Sequence, residues 1–147
     1  CLYVSNIQDN EEDMFDDIVH EVAHSLEEPY GYELYGDKKL ENEFLSKRKR
    51  LYDILWGHGY KTPEVFFANT EFDQEFDDFL LKKVGYEKLS QLMQGLFVSP
   101  YAATSLREYF ATGFTEFYLD PNNHNFLKKI GPVLYKKLIS LQRIENT

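Results

Sequence analysis

His20-Glu21-Val22-Ala23-His24, inside DDIVHEVAHSLEE over residues 16–28, decides how this chain is read. The pattern is H-E-x-x-H, which on a helix is a zinc-peptidase signature. Helix geometry explains the spacing. At 3.6 residues per turn, positions four apart lie one above the other on the same face. Two imidazoles so placed can share one metal ion, with Zn–N distances near ~2.0–2.1 Å. Glu21 stands one step round the helix, where a carboxylate reaches a water beside the metal without being a ligand. The third ligand must come from elsewhere in the chain, and a glutamate is the first candidate. The extended pattern H-E-x-x-H-x-x-G-x-x-H does not apply, because Glu27 stands at the glycine position and Tyr30 at the third histidine.

The flanking residues predict the helix. Met14, Phe15, Ile18, Val19, Val22, Ala23 and Leu26 recur at helical spacing. Asp9 or Asn10 can cap its start, and Glu11, Glu12 and Asp13 suit the positive end of the helix dipole. Pro29 predicts an end nearby. The competing reading is two histidines on an ordinary amphipathic helix.

Composition narrows the function classes. A 147-residue chain with 43% hydrophobic and 16% aromatic residues can build a folded core. No apolar run approaches the ~20 residues needed to span a bilayer. A net charge of −9 disfavours nucleic acid and anionic membrane surfaces. It suits a cationic peptide or protein substrate, and equally an acidic solvated surface. Cys1 is the single cysteine, so no internal disulfide forms.

Further along, residues 1–6 (CLYVSN) read as a short strand. Residues 29–37 (PYGYELYGD) read as a loop. A second helix is predicted from about Lys38 to Trp56, buried through Leu40, Phe44, Leu51, Tyr52 and Leu55. Its run Lys47-Arg48-Lys49-Arg50 reads as a solvated face pairing with nearby acids. His58 falls at that helix's C-terminus, where positive charge is welcome. Thr70 is the predicted cap of a third helix, with Phe72, Phe76, Phe79 and Leu80 inward. A fourth helix follows Gly85. Residues 104–119 (TSLREYFATGFTEFYL) predict a buried fifth helix, with Glu108 and Thr112 on its narrow polar stripe. His124 belongs to a turn, and a last helix starts at Pro132.

HEVAH, then SPYAATSLREYFATGF, then FLKKIGPVLYKKLISL resembles the catalytic domain of anthrax lethal factor and its relatives, including the proline-specific secreted endopeptidases. The resemblance covers residues 11–28 and about 97–142. It implies a zincin-type metallopeptidase domain, mainly α within the α+β class, with the HExxH helix packed among several helices and a short N-terminal strand. It implies one zinc ion (Zn2+) held by His20, His24 and Glu108, the glutamate that opens Glu108-Tyr109-Phe110-Ala111-Thr112-Gly113-Phe114. Tyr101, seven residues earlier, assists the chemistry in that family. The resemblance also implies a secreted protein. Thr112 departs from the family, where a second acid often stands one turn after the ligand. The 84 residues from His24 to Glu108 are many for the family, so residues 37–85 read as an insertion within the domain or an elaborated connection.

Glu116 is the alternative ligand on the same helix. Eight steps put it roughly 80° round the axis and about 12 Å along it from Glu108, so only one of them can face a given metal. The register with Tyr101 favours Glu108. The expected reaction is zinc-assisted peptide-bond hydrolysis, with Glu21 as general base. The second reading, from a different class, is a peptidase-derived structural or interaction module in a larger assembly, with zinc or without it. Residues 1–147 are expected to be one domain, the C-terminal part of a longer product. In it, upstream residues or a partner chain complete the sheet beside the first strand.

Overall fold

The computed structural model describes residues 11–61, 69–120, 122 and 124–145, with side chains from residue 17 to residue 143. The expected strand over residues 1–6 and the caps Asp9 and Asn10 lie outside the described residues. The chain is mainly helical, and no strand occurs among the described residues. We label the helices α1 (Glu11–Tyr35), α2 (Lys39–Gly57), α3 (Gln74–Asp78), α4 (Tyr86–Leu92), α5 (Leu106–Leu119), α6 (His124–Ile130) and α7 (Pro132–Glu145). The α3 helix widens into a π-helical turn over Phe79–Val84, and a 3-10 turn, Pro100–Ala103, precedes α5.

The helix α5 is the centre of the packing. It buries Tyr109, Phe110, Ala111, Phe114 and Phe117, as its apolar circumference predicts. It packs along α1 on one side and against α7 on another. Gly113 allows the second contact, because a Cβ there would run into the Leu134 side chain of α7. The helix α2 shares this core through Leu40, Phe44, Leu51 and Leu55, all fully buried. The region that reads as an insertion therefore carries part of the common core. Glu43 of α2 also accepts hydrogen bonds from the Tyr109 hydroxyl (2.7 Å) and from the backbone N–H of Val133 (2.8 Å) at the start of α7.

Three local expectations are corrected. The first concerns residues 29–37, which are helical as far as Tyr35. The backbone breaks at Tyr30 (φ −115°, ψ 19°), next to Pro29, and then resumes. Proline removes one donor and kinks the helix, as expected. Burial of Leu34, and a hydrogen bond from Lys137 of α7 to the Glu33 carbonyl, hold the segment beyond it. The second concerns α3, which is capped by Asp73 instead of Thr70. Its carboxylate accepts from the backbone N–H groups of Glu75 and Phe76, and Phe72, before the cap, is 47% exposed.

The third correction is the basic run. Lys49 is exposed and pairs with Asp53 at 3.7 Å, as a solvated face should. Arg48 is instead 1% exposed. Its Nε donates to the Ala103 carbonyl (2.6 Å), Nη1 to Asn69 (2.8 Å) and Nη2 to Thr104 (2.9 Å). Its guanidinium carbon lies 4.7 Å from the Phe44 ring centre and 4.6 Å from that of Phe76. Register is the reason, since Phe44, Arg48, Leu51 and Leu55 recur every three or four residues on one stripe of α2. A buried guanidinium needs its donors satisfied, and backbone carbonyls and aromatic faces do that here.

Candidate metal centre

The i, i+4 spacing on α1 brings the His20 and His24 rings together, with centroids 5.0 Å apart. Both face α5. Glu108 stands between them: its Oε2 lies 2.9 Å from His20 Nε2 and its Oε1 2.7 Å from His24 Nε2. The start of α5 is positioned from two sides. Ser105 caps it by accepting from the Glu108 N–H (3.1 Å), and the Leu106 N–H donates to the Thr70 carbonyl (2.8 Å). Thr104, just before the cap, is held by Arg48 from α2. Residues from three separate stretches of chain therefore place one carboxylate.

Glu108 is 9% exposed and pairs with nothing but a partner of opposite charge or a strong donor at low cost. Burial pushes its carboxyl up, but hydrogen bonds from His20 and His24 outweigh this and hold it down at about 2. Hydrogen bonds to Glu108 and then to Glu27 raise the His24 imidazole to about 9, against the effect of burial. Two imidazole nitrogens and a carboxylate oxygen are a donor set that suits zinc. One ligand atom from each residue can be chosen so that all lie within 4.8 Å of one another. The histidine–glutamate contacts of 2.9 and 2.7 Å show that the three side chains already converge, so small side-chain adjustments would let them hold zinc.

Glu21 is exposed beside His20 on α1. Tyr101 lies in the 3-10 turn, 43% exposed, with its ring centroid 6.3 Å from that of His20. Partial burial, and then the charge of Glu108, push its hydroxyl above the ordinary tyrosine range, so it remains a proton-bearing donor. Tyr101 lines two cavities. One, of about 450 Å³, also touches His20, Asp17, Thr112 and Glu116. The other, of about 220 Å³, touches Glu108, Ser105 and Arg107. A third cavity, of about 570 Å³, opens on the far side of His24 and is lined by Glu28, Glu41, Glu71 and Arg107 among others.

The structure thus brings His20, His24 and Glu108 into contact, with Tyr101 near the His20 ring and Glu21 exposed next to His20 in the chain. Glu116 lines the cavity that His20 and Tyr101 share, and among the described residues the convergent ligand group is His20, His24 and Glu108 without it. Thr112 turns its hydroxyl back to the Glu108 carbonyl of its own helix (2.7 Å). The other histidines stand apart from the cluster. His58 Nδ1 donates to the Ile54 carbonyl at the end of α2, and His124 Nε2 donates to the Phe117 carbonyl and stacks on that ring. Sequence reasoning missed Arg48 and Glu27. The apolar stripe of α2 was the signal for Arg48, and the i, i+3 spacing from His24 was the signal for Glu27. No family model, curated protein or solved structure matches this chain.

Proposed function

We propose that this domain is a zinc-dependent endopeptidase. The observation that carries the reading is the convergence of His20 Nε2 and His24 Nε2 on the two oxygens of one buried carboxylate, Glu108. Inside an H-E-x-x-H helix, that arrangement is the donor set for a metal with an open position. The resemblance to lethal factor-type catalytic domains points the same way, and a secreted protein fits it. His20, His24 and Glu108 would hold the ion. When bound there, zinc supplies Lewis acidity that brings the pKa of water from 15.7 to about 7.

The chain's own residues do the rest. Glu21 takes a proton from the attacking water and passes it to the leaving amine. The Tyr101 hydroxyl donates a hydrogen bond to the developing oxyanion. The cavities on the His20 and His24 sides receive the peptide on either side of the cleaved bond. Glu28, Glu41 and Glu71 on the His24 side favour basic side chains there. No helix among the described residues is long and apolar enough to cross a membrane.

Metal analysis and a cleavage assay on a mixed peptide library test the proposal. Protein purified without added metal should carry about one zinc per chain, the one ion that the three-ligand set accommodates. Glu21→Gln should keep the zinc and cut the cleavage rate by at least ~10²-fold. Protein that takes up no zinc would sink the reading. Zinc-loaded protein that cleaves nothing would favour a binding or structural module instead.

A further inference from the structure

Glu27 lies three residues after the second histidine, and its side chain is 9% exposed. Three donors from different segments converge on its carboxylate. His24 Nδ1 lies 3.0 Å from Oε2, and Arg107 Nε of α5 lies 3.0 Å from the same oxygen. The Tyr35 hydroxyl, beyond the kink in α1, donates to Oε1. Arg107 and His24 therefore meet on one oxygen while Tyr35 holds the other.

An ionised carboxylate only accepts hydrogen bonds. Without a metal both His24 nitrogens face carboxylates. Nε2 lies in the cluster with His20 and Glu108, where a metal would take the place of its hydrogen, while Nδ1 keeps its hydrogen on Glu27. An imidazole ligand must offer one bare nitrogen, and the partner of its other nitrogen decides which one that is. We propose that Glu27 is the positioning residue of this centre, fixing the tautomer and ring orientation of His24 for the metal, while Arg107 and Tyr35 fix Glu27. The proposal rests on the zinc reading above. It gives a task to the residue that occupies the glycine position of the longer histidine motif. It also supplies, from α1 itself, the outer carboxylate that Thr112 does not provide.

The test is the zinc affinity of the full chain, measured by competition with a chromophoric chelator. Wild type is compared with Glu27→Leu, Glu27→Gln and Arg107→Gln. Glu27→Leu should bind zinc about 10–100-fold more weakly, the usual loss when such a partner is removed. Glu27→Gln, which keeps an acceptor without the charge, should fall between it and wild type. Arg107→Gln loosens the same cluster without touching the imidazole, and should weaken zinc less than either. In nitrogen-resolved NMR spectra of the zinc-loaded protein, the His24 Nδ1 proton should be seen in wild type and in Arg107→Gln. It should be lost to exchange in Glu27→Leu. The proposal is overturned if Glu27→Leu binds zinc as tightly as wild type. It also falls if Arg107→Gln weakens zinc as much as Glu27→Leu, because the cluster would then act only through the fold. Should Glu27→Leu fail to fold, Glu27→Gln decides, and wild-type affinity in that variant overturns the idea. Wild-type protein that takes no zinc overturns both this inference and the peptidase reading. Zinc-loaded wild type with unaffected Glu27 variants overturns this inference alone.

Discussion

Arg48 and Glu108 are both buried charges, satisfied in opposite ways. Arg48 gives its donors to backbone carbonyls and lies between two phenyl rings. Burial pushes its guanidinium down to about 9, which leaves it charged at neutral pH. None of those partners titrates, and the group is sealed from solvent. Glu108 is held by the imidazoles of His20 and His24, at the edge of open cavities. The first charge can only hold segments together. The second, on the proposed zinc reading, trades its partners for a cation. The comparison separates a structural charge from one proposed to bind metal: burial is common to both, and side-chain partners beside open cavities belong to one.

The sharpest way to break this contrast is to remove each charge in turn. Glu108→Ala should lose zinc by more than the ~10–100-fold that loss of an outer partner costs. Glu116→Ala should keep it, as equilibrium dialysis can show. Zinc retained by the first variant and lost by the second would mean that the register of α5 is misread. Arg48→Met should act on stability instead. It refills the space between Phe44 and Phe76 but orphans carbonyls, each worth about 1–3 kcal/mol, so a loss of about 3 kcal/mol or more is expected. Urea unfolding of the metal-free variant reads it, and an unchanged midpoint would remove Arg48 from the fold's supports.

Tyr101→Phe sharpens the boundary of the functional charge. It should leave zinc content unchanged and lower kcat by about 10²-fold, with little change in KM, as for a donor used mainly in the transition state. A rise in KM with unchanged kcat would make Tyr101 a substrate-binding residue only.

The smallest effect is a pH dependence of the metal-free protein. His24 is raised from 6.5 to about 9, so its contribution to stability is full below 6.5 and fades as pH rises through about 9. Glu108 is lowered from 4.5 to about 2, so its contribution is full above 4.5 and fades as pH falls through about 2. Thermal midpoints in chelator should therefore peak between those limits, at about pH 4.5–6.5. Zinc competes with the proton on His24, so added zinc should stabilise progressively more above pH 6.5. A metal-free midpoint that keeps rising through pH 9 would contradict the His24–Glu108 pairing.

Much of α5 was legible because its apolar residues encircle the helix, and burial follows from that pattern alone. The basic run was read from charge density, which says nothing about direction. Position 48 lies on the same stripe as Phe44 and Leu51, and the stripe was the better guide. Pro29 was read as a stop, but Leu34 and Lys137 hold the next helical segment in place after the kink.

By itself, the sequence determined what one helix can do. The i, i+4 step of His20 and His24 puts both on one face of the helix whatever lies around them, because the helical period is a property of the backbone. Whether a carboxylate meets them is not local. Glu108 stands 84 residues beyond His24, and Glu27 gains Arg107 from 80 residues away. Those meetings depend on how α1 packs along α5 and on the anchoring of the α5 entry by Ser105, Thr70 and Arg48. Packing of side chains from distant segments is a collective result of the whole core, so only the tertiary structure decided it.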